Sequence, residues 1–124
     1  INFIKNNIKH LNVFICEAPI SHITDENLIK ILKVYENQRD NSWIESKITK
    51  VIPYEIRNKH ILLFNKELEK LSDINGFKLL KINKYFKNSA GDFKIPSKYI
   101  RKNKLDHHLK NNIVELYLKS LKTL

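Results

Sequence analysis

The residues able to do chemistry in this chain are few. His107 and His108 form the one histidine pair, and Asp106 precedes them. The periodicity predicts a helix over this stretch. Adjacent helical side chains point about 100° apart, so the pair would not share a metal without further ligands. Zinc on a helix needs histidines or a carboxylate four residues apart, and His10, His22 and His60 are scattered. No metal and no cofactor is expected. Nucleophilic catalysis needs a serine or cysteine beside a positioned base, and no Gly-x-Ser-x-Gly is present. Two glycines cannot build a phosphate-cradling loop. Glu17, Glu45, Glu55 and Glu67 read as acids at strand edges rather than a catalytic carboxylate pair. No catalytic residue is expected.

Composition narrows the function classes further. A chain of 124 residues with 42% apolar residues can build one core without staples. Cys16, the single cysteine, excludes an internal disulfide and reads as a small core hydrophobe within Val13-Phe14-Ile15-Cys16. The formal charge is +10, which favours anionic partners. Lysines outnumber arginines 20 to 3, however, and arginine is the better bidentate phosphate ligand. Lys78, Lys81, Lys84 and Lys87 recur every third residue, a spacing that suits neither a strand face nor a helical stripe. A chain without Met that opens at Ile1 reads as part of something longer.

The elements that would position these residues read as mainly β. Leu11 to Ala18 forms a strand closed by Pro19. Thr24-Asp25-Glu26 opens a short helix carrying Leu28, Ile31, Leu32 and Tyr35 on one face. Trp43 to Ile56 alternates, with Ile44, Ile48 and Ile52 inward. His60 to Phe64 and Phe77 to Phe86 have strand length, and Asn88-Ser89-Ala90-Gly91 is turn chemistry before Asp92 to Pro96. Such strands fold as an antiparallel β-sandwich followed by a C-terminal α-helix. Leu105, Leu109, Ile113 and Leu116, widened by Tyr117, make one helical face for the sheet or for partner helices. Trp43, at a loop–strand junction, either caps the core or anchors an interface.

The order of these features resembles the N-terminal shell domain of TssK, the type VI secretion baseplate subunit family. Val13 to Pro19 is similar to that family's apolar strand ending in proline. Trp43 to Val51 follows a polar loop as its alternating strand does, and His60 to Phe64 and Leu79 to Lys84 match later strands. Asp92-Phe93-Lys94-Ile95-Pro96 resembles a Phe-Ile-Pro-Pro signature, here with Lys94 interposed and Ser97 in place of the second proline. The resemblance implies a β-sandwich shell over residues 1–104 and the start of a helical bundle over 105–124. It implies a non-enzymatic adaptor: a homotrimer that links baseplate-wedge subunits to the membrane complex, in the bacterial cytoplasm at the inner-membrane-docked baseplate. Trp43, Phe93, Pro96, Leu109, Ile113, Leu116 and Tyr117 are then the interface candidates. A basic nucleic-acid-binding module is the alternative that the charge suggests, and a small enzyme whose site lies elsewhere in a longer chain is a third.

Overall fold

A computed structural model describes residues 12–35 and 41–124. Strand β1 (Phe14–Cys16) leads through helices α1 (Asp25–Tyr35), α2 (Asn41–Ile48) and α3 (Tyr54–Asn75) to strand β2 (Lys78–Leu80). Three 3-10 turns follow, at Asn83–Phe86, Ser97–Tyr99 and Asn111–Ile113, and helix α4 (Val114–Lys122) ends the chain. The two strands are parallel, pairing Phe14 with Lys78, Ile15 with Leu79 and Cys16 with Leu80. A parallel pair requires a long crossover, and here the crossover is helical.

The expected antiparallel β-sandwich is therefore wrong: among the described residues the protein is mainly α, with one small parallel sheet. The misreading has a physical cause. Ile44, Ile48 and Ile52 share a parity, but they are also four apart and so equally suit a helix. Residues 41–48 are α2. His60 to Phe64 is the middle of the 22-residue α3. A short apolar run does not declare its period, and the length of the surrounding Gly- and Pro-free segment decides for helix. The Phe77 to Phe86 strand shrinks to Lys78–Leu80, and the tract after Asn88 contributes only an isolated antiparallel bridge between Lys87 and Phe93. The expected Leu11 to Ala18 strand is Phe14–Cys16, and Cys16 is exposed rather than in the core. Leu11 and the polar lead-in before it lie outside the described residues. The strands that carried the resemblance to the baseplate family are mostly helices and turns.

Local chemistry explains the elements that form. Thr24 opens α1, its hydroxyl accepting the Asn27 N–H at 3.2 Å, and Asp25 and Glu26 fill the first turn. Pro53 precedes α3, where a missing N–H costs nothing. Gly76 closes α3 in the left-handed conformation, φ 70°, and Phe77 N–H returns to the Ser72 carbonyl at 2.8 Å. The core gathers Ile20, Ile82, Phe86, Ile95, Tyr99 and Leu116, with Phe93, Leu109, Ile113 and Tyr117 packed around it. Among the described residues no helix is long and apolar enough to cross a membrane.

Candidate active site

The loop leaving the carboxyl end of β1 is held by polar side chains from distant elements. Glu17 Oε2 accepts the N–H groups of Ile82 and Asn83, both at 2.8 Å. Asn65 brackets Ala18: its Oδ1 accepts the Ala18 N–H at 2.9 Å and its amide donates to the Ala18 carbonyl at 2.7 Å. Asn58 treats Ser21 alike, at 2.7 Å and 3.2 Å. Asn83 accepts from Ile20 N–H at 2.9 Å and donates to the Ala18 carbonyl at 2.8 Å. Tyr117 donates its hydroxyl to the Glu17 carbonyl at 3.0 Å. Buried amides are costly unless satisfied, and among the described residues no buried side-chain polar atom lacks a partner. Burial pushes the Tyr117 phenol up to about 12, with the negative potentials of Cys16 and Glu17 adding to it.

That loop ends beside a second one. Residues 101–108 leave the core at Ile100 and return at Leu109, and these two residues form an antiparallel bridge. Lys110 N–H donates to the Tyr99 carbonyl at 2.8 Å, closing the base. Inside, Asp106 N–H donates to the Asn103 carbonyl at 3.0 Å. His22, from the β1 loop, places Nε2 at 3.1 Å from the Asp106 carbonyl oxygen.

Asp106 and His108 meet within this loop. The Asp106 carboxylate turns back onto His108, two residues on. Asp106 Oδ1 accepts the His108 N–H at 2.9 Å and lies 2.7 Å from His108 Nδ1. Arg101 donates to the other oxygen, Oδ2, at 3.2 Å. The His108 backbone N–H, then its ring, and more weakly Arg101 hold the Asp106 carboxyl below the usual carboxylate range. An ionised carboxylate can only accept, so Nδ1 carries a proton, and in the neutral ring Nε2 keeps its lone pair. His107 stacks on His108 with ring centroids 3.9 Å apart. The two histidines, Asp106 and Ile31 of α1 line a cleft of about 470 Å³.

The interface candidates fall elsewhere. Leu116 is buried, and Leu109, Ile113, Tyr117 and Phe93 pack about the same core. Phe93 also lines a cleft of about 380 Å³ with His22, Thr24 and Tyr54. Pro96 is exposed and precedes the 3-10 turn at Ser97–Tyr99. Trp43 sits half-buried on α2 with Lys47 Nζ 5.3 Å from its ring centre. The helix expected from Leu105 begins only at Val114, so the geometric objection to cooperation among residues 106–108 disappears. The Asp-x-His spacing was the signal for the pair, and it has meaning only on non-helical backbone.

No protein-family model matches the sequence, and neither curated proteins nor solved structures show significant similarity to it.

Proposed function

We propose that Asp106 and His108 are the acid–base half of a hydrolase active site acting on an ester-type bond. His108 Nε2 takes a proton from a water or hydroxyl nucleophile and returns it to the leaving group. Asp106 holds the imidazole in the tautomer that leaves Nε2 free and stabilises the imidazolium as it forms. The observation that carries this reading is the 2.7 Å contact between Asp106 Oδ1 and His108 Nδ1, in the lining of a cleft. The His22 contact ties the pair to the loop that follows β1.

Long-range proton–nitrogen spectra of the 124-residue chain above neutral pH test the pairing. His108 is expected with Nδ1 protonated, and Asp106→Asn is expected to release it to a mixture. A screen against acyl esters of graded chain length tests the chemistry. Turnover should fall by about a hundredfold or more in His108→Ala, in line with losing a positioned base. A His108 that favours the Nε2–H tautomer, or ester turnover unchanged by that substitution, overturns the reading.

A second reading rests on helix α3. Ile56, Leu63, Phe64, Leu71 and Ile74 are all exposed and occupy one side of it, opposite the buried Asn58, Asn65 and Ser72. Such a stripe favours a subunit covered by something larger. A chain that stays monomeric at high concentration and captures nothing through α3 counts against it.

A further inference from the structure

We propose that Tyr85 and the lysines around it bind single-stranded nucleic acid, with a base on the Tyr85 ring and phosphates on Lys84, Lys87, Lys94 and Lys119. The surface shares no residue with the cleft of Asp106 and His108 and does not depend on how that pair is read.

The first argument is the backbone that gathers the lysines. A spacing of three residues suits a 3-10 turn, where side chains three apart fall on one side. Lys84 lies in the turn Asn83–Phe86, and Lys87 follows it directly. Lys87 bridges to Phe93, and Lys94 N–H donates to the Phe86 carbonyl at 2.9 Å, which brings Lys94 alongside. Helix α4 supplies Lys119, whose Nζ is 4.8 Å from the centre of the Tyr85 ring. Lys84 Nζ is 5.1 Å from the same centre. The other two lysines of the series are engaged elsewhere: Lys81 pairs with Glu69, and Lys78 lies over Phe14.

The second argument is the space beside them. Tyr85, Lys87, Asn88, Lys94, Pro96 and Ser97 line a cleft of about 400 Å³, and among the described residues no acid lines it. Asp92 lines a neighbouring cleft with His22 and Tyr54. Glu115, which feels the charge of Lys119, accepts the Tyr99 hydroxyl at 2.6 Å and pairs with Lys98 at 3.4 Å.

The third argument is chemistry. Single strands are held without sequence preference by cations that take the phosphates and by aromatic faces on which bases stack. Ammonium groups on flexible stems can swing from the Tyr85 ring to a phosphate, leaving its face to a base. A duplex keeps its bases stacked inside, so the ring favours single strands. The formal charge of +10 draws any polyanion, and the ring gives this surface its preference.

Fluorescence anisotropy of the 124-residue chain with a labelled oligothymidylate of about twelve nucleotides tests the site. A dissociation constant on the order of 1–100 μM is expected near physiological salt, rising as salt is added. Tyr85→Ala should weaken binding about tenfold, and Tyr85→Phe should keep it. Tyr85 also packs against the core, so an abasic strand of equal length reads the stacking without altering the protein. That strand keeps the phosphates, offers no base and should bind about tenfold more weakly. Lys87→Ala combined with Lys94→Ala should weaken binding and flatten its salt dependence. Lys59→Ala combined with Lys66→Ala removes the same charge from the exposed surface of α3 and should change little. Equal binding of the abasic strand, or no saturation even at about 50 mM salt, would overturn the site. Equal losses in the two lysine pairs would also overturn it, leaving only the attraction of a basic protein for any polyanion.

Discussion

His22 Nε2 lies 3.1 Å from the carbonyl oxygen of Asp106, a contact spanning 84 residues of sequence. It joins the loop after β1 to the loop that carries the carboxylate–imidazole pair. For His22 to donate there, its Nε2 must hold the proton. Replacing His22 by alanine removes the tie but neither member of the pair. Ester turnover in His22→Ala is expected to drop about ten- to a hundredfold, the loss typical of a displaced catalytic group. His22→Gln, whose amide can still donate, should recover much of it. Equal losses in both variants would show that the ring matters for packing alone.

Asn65 is 3% exposed and meets both backbone groups of Ala18. Asn83 also donates to the Ala18 carbonyl, so only the Ala18 N–H depends on Asn65 alone. Asn65→Leu should therefore destabilise the fold by about 1–3 kcal/mol, the cost of one stranded buried donor. Urea denaturation measures it. The same substitution should cost more when Asn83 is also changed, because the carbonyl then loses its remaining donor.

Gly76 ends α3 at φ 70°, and a Cβ added there meets nothing within 4 Å. The cost of Gly76→Ala is therefore backbone strain alone, about 1–2 kcal/mol. Gly76→Asn should cost less, since asparagine tolerates the left-handed region better. A loss well beyond that range in thermal unfolding would mean that the added side chain collides after all.

Tyr117 couples stability to alkaline pH. Its phenol titrates at about 12 in the folded chain, against an ordinary value of 10.0. Burial favours the neutral form, so this contribution is fully present below pH 10. It is lost as pH rises toward 12, where the unfolded chain has released the proton and the folded chain has not. The denaturation midpoint should fall across that window. It should fall less in Tyr117→Phe, which has no proton to lose but starts lower, by about 1 kcal/mol for the missing bond to Glu17.

What the sequence disclosed depended on whether a local signal had one interpretation. Thr24-Asp25-Glu26 announces a helix start, and Gly76 announces a chain reversal. The isoleucines at 44, 48 and 52 did not distinguish two periods, and the wrong one was favoured. Parallel pairing of β1 with β2 joins segments more than sixty residues apart, and no short pattern carries that information. The candidate site shows the same dependence. Asp106 and His108 are visible as residue types, but a helix through Leu105 would have turned them apart. Only the loop closed by Ile100 and Leu109 lets them meet. The asparagines that hold the β1 loop resembled ordinary polar surface, because their partners are backbone groups some forty residues away.

Asn58 and Asn65 stand seven residues apart on α3, and their partners Ser21 and Ala18 stand three apart on an irregular loop. Seven helical residues rise about 10.5 Å, and three extended residues span about 10 Å. The two spacings are commensurate, as on a vernier scale, with the segments running in opposite directions. A residue inserted between the two asparagines would put both marks out of step at once. The lengths of the loop and of that part of the helix are thus free to change only together.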